Sequence, residues 1–136
     1  MKNLQPYLLS VALSVGIITF ALAQTQSADA VIEKLKISLK SGNSKELVSD
    51  FHDIVEVTLP DQEGSNYSKT QAEFVLRDFM KKYPPVDFKY VHKVLDREDF
   101  KFVIGEYLYN GGKYRVTMVI KPTKGVYSVD SIVFEK

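Results

Sequence analysis

A segregated α+β fold is predicted for this chain, with helices first and an antiparallel sheet last, and three observations carry it. Apolar residues between Ala28 and Tyr83 recur at helical spacing and are punctuated by helix caps. Four later segments alternate apolar and polar residues, and the turns joining them are too short for anything but antiparallel neighbours. Pro84-Pro85 marks the border between the halves, because proline disfavours helical geometry in the residue before it.

In the first half, Val31, Ile32, Leu35 and Leu39 form one apolar stripe on a helix that begins at Ala28, and Gly42-Asn43 supplies its C-terminal stop. A second, shorter helix follows, N-capped by Asn43 or Ser44, with Leu47, Val48 and Phe51 on one face and its end near His52. From Asp53 to Leu59 the period changes to two: Val55, Val57 and Leu59 share one side, and Ile54, Glu56 and Thr58 the other. That is a strand, closed by Pro60 and a polar turn through Gly64. Ser68-Lys69-Thr70-Gln71 matches a capping box, so a third helix starts there. Its buried stripe is Ala72, Val75, Leu76, Phe79, Met80 and Tyr83.

The second half holds four strands, Asp87 to Leu95, Phe100 to Tyr109, Lys113 to Lys121 and Val126 to Glu135. Asp96-Arg97-Glu98-Asp99, Asn110-Gly111-Gly112 and Thr123-Lys124-Gly125 connect them as three consecutive hairpins.

The N-terminus has a separate meaning. After Lys2 an apolar run extends from Tyr7 through Leu22, and Ala21-Leu22-Ala23 sets small residues where a signal peptidase reads. The expected organisation is a signal peptide over 1–23 cleaved after Ala23, a flexible tail over 24–27, and one domain over 28–136. Such a protein is exported to the periplasm or the extracellular space and has no membrane contact after cleavage. Removing 23 of 136 residues leaves 113, enough for one core without staples. The chain has no cysteine, which excludes thiol catalysis, cysteine-based metal sites and a lipoprotein anchor. Of 18 basic residues only Lys2 goes with the signal, leaving 17 against 17 acidic ones. A neutral domain with interspersed signs lacks the clustered cations that nucleic acid requires, and Lys81-Lys82 reads as a solvated surface.

The order of elements, with Leu39-Lys40-Ser41-Gly42-Asn43, Tyr67-Ser68-Lys69, Gln71-Ala72-Glu73 and Pro84-Pro85, resembles an uncharacterised family of exported bacterial proteins with the nuclear-transport-factor-2-like, or cystatin-like, cone fold. The resemblance implies three N-terminal helices packed on a strongly curved antiparallel sheet, made of four long strands plus the earlier one. It implies no established activity, since fold alone does not supply one.

Turn length predicts which residues face the helices. A two-residue loop within 110–112 puts Val103, Gly105, Tyr107 and Tyr109 on one face with Tyr114, Val116, Met118 and Ile120. A four-residue loop over Asp96 to Asp99 adds Phe88, Tyr90, His92 and Val94. Mid-strand Gly105 marks a bend or a close approach. Tyr90, His92, Tyr107 and Tyr114, with Met118 beside them, are therefore the candidate walls of a ligand pocket, the alternative being core aromatics with hydroxyls at the rim.

His92 invites a reading as general base, with Asp130 as its conceivable partner. A three-residue loop over 123–125 brings Asp130 to the concave face beside Met118, and a two-residue loop turns it away. The expected function is a non-catalytic module taking a small apolar ligand, a protein partner, or both. The alternative is an isomerase- or dehydratase-type enzyme built on His92. No cofactor is implied, and two histidines without ligand spacing imply no metal. On the opposite sheet face, Phe102, Ile104, Leu108 and Val119 form an apolar patch beside Glu106 and Arg115, which suggests a homodimer through the sheet.

Overall fold

The computed structural model describes residues 27–136, with the backbone alone at 92–94. The expected signal peptide and all of the expected tail except Ser27 lie outside the described residues. Ser27 accepts a hydrogen bond from the Ala30 amide (3.2 Å) and opens α1 (Ala28–Ser41). Gly42, at φ 70°, closes that helix in the left-handed conformation, and its α-carbon sits so near Pro85 that a β-carbon would approach the ring to 3.2 Å. Asn43 then caps α2 (Ser44–Ser49) through a 3.1 Å bond from the Glu46 amide. The helix ends two residues earlier than Phe51, which instead begins β1 (Phe51–Thr58).

Ser68 and Gln71 form the expected reciprocal capping box at the start of α3 (Lys69–Lys82), with bonds of 3.3 and 3.1 Å. The meander follows as β3 (Pro85–Asp96), β4 (Lys101–Tyr109), β5 (Gly112–Thr123) and β6 (Val126–Glu135). Before α3 lies a short strand absent from the sequence reading, β2 (Ser65–Ser68), antiparallel to β1. Its residues are polar apart from Tyr67, so period-two hydrophobicity did not reveal it. The sheet therefore has six strands in the order β2-β1-β6-β5-β4-β3. It is mixed where an all-antiparallel sheet was expected, because β1 runs parallel to β6.

The helices cover the concave face. Val31, Leu35 and Leu39 of α1 and Leu76, Phe79 and Met80 of α3 meet a sheet surface that includes Phe88, Tyr107, Met118 and Phe134. At Gly105 a β-carbon would lie 2.4 Å from the Phe88 ring and 3.0 Å from the Lys89 carbonyl, so the glycine exists to let that ring lie across the strand. Close approach was one of its two expected roles.

Register decides the rest. Tyr109 pairs with Gly112, so Asn110-Gly111 is a two-residue loop and Tyr107 stands opposite Tyr114 as expected. Thr123 pairs with Val126, leaving Lys124-Gly125 as a two-residue turn with both residues at positive φ (51° and 78°). Along β3 the register slips three times, first between Pro85, opposite Tyr109, and Asp87, opposite Leu108. Tyr90 pairs with Gly105 but His92 with Ile104, and Lys93 with Val103 but Leu95 with Phe102. Each slip inserts one extra residue on β3, so strict alternation from Phe88 to Val94 does not hold.

Candidate functional site

The five residues singled out as pocket walls fall into four groups. Tyr107 and Met118 are fully buried in the core. Tyr90 is half-buried, and its hydroxyl donates to the Ile32 carbonyl of α1 at 2.7 Å. The Tyr107 hydroxyl likewise donates to the Tyr83 carbonyl at the end of α3. Burial pushes the pKa of both phenols well above the ordinary value, with Glu33 adding to the effect at Tyr90. Tyr114 lines a cavity. His92 sits on β3 opposite Ile104, a residue outside the buried row Val103-Gly105-Tyr107.

That cavity lies between the end of α3, the chain after β1 and the start of β5, and has a volume of about 480 Å³, inside the range of about 300–1,000 Å³ usual for small-molecule sites. The chain after β1 supplies Leu59, Pro60, Asp61 and Gln62, β2 supplies Tyr67, and β5 supplies Tyr114. About two turns of α3 contribute Val75, Asp78, Phe79 and Lys82, followed by Tyr83. Lys136 closes the rim.

Its back wall is aromatic. The Tyr83 and Tyr114 rings meet edge to face with centroids 5.3 Å apart, and Phe79 lies 5.2 and 5.7 Å from them. Behind them Tyr109 stacks on Tyr114 at 5.0 Å and 16°, and meets Tyr83 at 5.1 Å. Gly111 permits this arrangement, since a β-carbon there would come within 2.8 Å of the Tyr109 ring. Hydrogen bonding from Tyr114 lowers the Tyr83 pKa, assisted by the charges of Lys82 and Lys136. Burial, with hydrogen bonds to Tyr109 and Tyr83, raises that of Tyr114.

The charged rim comes from elements far apart in sequence. Lys136 pairs with Asp61 at 2.8 Å, both strongly exposed. The Lys82 ammonium lies 5.4 Å from the centre of the Tyr83 ring. Sequence reading assigned Lys82 to the solvated surface and Tyr83 to the helix stripe. The signal that could have found them is the α3 spacing of 75, 78, 79, 82 and 83, which continues one helix face past the last core residue.

The suggested catalytic pair is not brought together. Asp130 occupies a bulge in β6, between Val129 opposite Ile120 and Ser131 opposite Val119, and its carboxylate pairs with Lys121 at 3.2 Å. With the two-residue turn at Lys124-Gly125 it takes the outward alternative. Between β6 and β3 stand β5 and β4, so Asp130 and His92 are three strand spacings of about 4.8 Å apart. Among the described residues no group of three or more His, Asp or Glu side chains could hold a metal.

The outer sheet face carries Phe102, Ile104, Leu108 and Val119, all half-buried. Glu106 stands opposite Arg115, but its carboxylate pairs with Lys113 (3.0 Å) and Lys89 (3.7 Å).

A family model described as a domain of unknown function, DUF4783, matches residues 32–135. The chain belongs to the DUF4783 family. Its fold is that of a crystallised family member from Bacteroides ovatus ATCC 8483, with a TM-score of 0.71 and 25% identity over 76% of this chain and 92% of that one. A designed nuclear-transport-factor-2-type protein with a long sheet superposes with a TM-score of 0.61 at 19% identity, over 79% and 99% of the two chains. A Thiobacillus denitrificans ATCC 25259 protein described as a calcium/calmodulin-dependent protein kinase type II association domain gives 0.62 at 10% identity, over 80% and 94%. This DUF4783 chain therefore has the nuclear-transport-factor-2-like α+β fold. No curated protein matches it.

Proposed function

We propose that this DUF4783 domain is an exported, non-catalytic binding module that takes a small, mainly apolar ligand in the cavity at the mouth of its cone. The observation that carries the reading is the cavity itself: about 480 Å³, walled by Phe79, Tyr83, Tyr114, Val75 and Tyr67, with Asp61, Gln62, Asp78, Lys82 and Lys136 completing its lining. An apolar body gains about 25 cal/mol for each Å² it buries there, and rim groups fix its orientation. Export rests on the 1–23 segment; among the described residues no helix is long and apolar enough to cross a membrane.

Native mass spectrometry of the protein purified from its own host tests the reading. A co-purifying small molecule that disappears in Val75→Trp, where the indole fills the cavity, is the expected result. A ligand-free wild-type spectrum, together with no binding from a small-molecule library, contradicts it. The same spectrum reports an N-terminus at Gln24 if the signal is cleaved.

The outer face supports a second reading, self-association through the sheet. Ile104, Thr117 and Val133 lie in one cross-strand row, and Phe102 and Val119 are paired in the next. The association domain that shares this fold lends it support. Ile104→Lys should convert a dimer to monomers in analytical ultracentrifugation, and a monomeric wild type removes the reading. The enzymatic alternative has less behind it, because Asp130 pairs with Lys121 three strands away from His92.

A further inference from the structure

We infer that the groove between the α1–α2 turn and the last two turns of α3 is a docking site for an extended acidic peptide that presents carboxylates at alternate residues. The groove is lined by a different face of α3 from the aromatic cavity, and the inference does not depend on what that cavity binds.

The groove has a volume of about 620 Å³, and its charged lining residues, Lys45, Arg77 and Lys81, are all cations. The neighbouring acids are engaged elsewhere or offset little of that charge. Glu73, one turn before Arg77, approaches the guanidinium at 3.7 Å and offsets part of one charge. Asp78 lines the aromatic cavity, Glu46 lines a separate hollow with Lys34 and Ile37, and Asp87 pairs with Lys40 at 3.6 Å. The groove therefore keeps a net positive charge.

Its shape is set in advance. The left-handed Gly42 brings the α1–α2 turn so close to the Pro85 ring that a β-carbon would stand 3.2 Å away, which fixes one wall against the other. Arg77 is held over the Phe74 ring, 4.5 Å from its centre, and Phe74 is itself half exposed beside the groove. Arg77 and Lys81 are one turn apart, a rise of about 6 Å along α3. Alternate residues of an extended chain lie about 6.6–6.8 Å apart and point to one side, so two carboxylates spaced in that way meet both cations. The residue between them turns toward the opposite wall, where Lys45 stands. Met80, Pro84 and Pro85 add apolar surface that the aliphatic carbons of a peptide bury and a small inorganic anion does not. Three cations are too few for nucleic acid, whose binders make about six to ten phosphate contacts.

Fluorescence anisotropy with three labelled peptides tests the assignment: GAEAEAG, its uncharged counterpart GAQAQAG, and GAEEAAG, which has the same charge on adjacent residues. The protein should bind GAEAEAG about three- to tenfold more tightly than GAQAQAG, and about two- to threefold more tightly than GAEEAAG, at low salt. Lys81→Met and Arg77→Met keep apolar stems and remove one charge each, so each should lose most of the preference over GAQAQAG. Lys121→Met, on the outer sheet face, should keep it. Equal affinities for GAEAEAG and GAQAQAG, or no binding at millimolar concentration, overturn the inference. Equal affinities for GAEAEAG and GAEEAAG overturn the extended register, and a preference that survives both Lys81→Met and Arg77→Met overturns the location. Displacement of GAEAEAG by inorganic phosphate at matching concentration marks a small-anion site and overturns the peptide assignment. Dimers of the protein that Lys81→Met dissolves in analytical ultracentrifugation give the groove to a second copy and overturn it as well.

Discussion

Tyrosines at two depths of the same cone do different work, and the difference lies in what their hydroxyls meet. Tyr90 and Tyr107 each donate to a main-chain carbonyl, of Ile32 and Tyr83, and thereby tie the sheet to α1 and to the end of α3. Tyr83 and Tyr114 line the cavity and face one another, with Tyr109 stacked behind. A phenol whose oxygen is consumed by backbone is structure. A phenol whose oxygen meets other phenols at a cavity wall stays off the backbone, in Tyr114 as part of the buried core and in Tyr83 half-buried beside Lys82. Register alone does not separate them, since Tyr107 and Tyr114 are direct cross-strand partners.

The largest way to break this contrast is Tyr107→Ala, which removes a fully buried ring and its bond to Tyr83. Urea unfolding should show a loss of about 3–5 kcal/mol, the cost typical of deleting a large core aromatic. Gly105→Ala comes next: with Phe88 2.4 Å from the new methyl and the Lys89 carbonyl behind it, overpacking should cost about 1–3 kcal/mol. Tyr90→Phe should cost about 0.5–1.5 kcal/mol, one buried hydrogen bond. Tyr83→Phe should stay within about 0.5 kcal/mol of wild type and weaken binding of the co-purified ligand instead. A Tyr83→Phe variant as unstable as Tyr90→Phe erases the distinction.

Alkaline pH sharpens the same comparison. Tyr90 and Tyr107 have folded-state pKa values raised by burial, above the value of about 10 expected in the unfolded chain. Above that point the unfolded state releases protons that the folded state retains, so stability falls as pH rises. The contribution is fully present below about pH 10 and is lost beyond it. Denaturant midpoints at pH 9 and 11 should therefore differ less in Tyr107→Phe than in wild type. An unchanged difference contradicts the sealed environment of Tyr107.

Much of the fold was legible because its signals are local. The caps at Asn43 and Ser68, the stop at Gly42 and the hairpin at Asn110-Gly111 are each decided by a few neighbouring residues. What escaped depends on non-local pairing. Nothing in Ser65–Ser68 announces a strand until β1 lies beside it, and the parallel partnership of β1 and β6 joins segments some seventy residues apart. The three slips in β3 leave no composition mark, so the face assigned to His92 and Val94 rested on an alternation that the strand does not keep. The site was half legible. Tyr114 followed from turn length, whereas Lys82, Lys136 and Asp61 reach the same rim only through the closure of the cone.

The central claim is that the mouth tyrosines bind and the inner ones do not. Spectra of protein labelled at tyrosine 13Cζ, recorded while the co-purified ligand is titrated in, address it directly. Shifts of Tyr83 and Tyr114, with Tyr109 following and Tyr90 and Tyr107 unmoved, are the predicted result; equal shifts at Tyr90 and Tyr107, or silence at Tyr83 and Tyr114 while the compound binds, would contradict it.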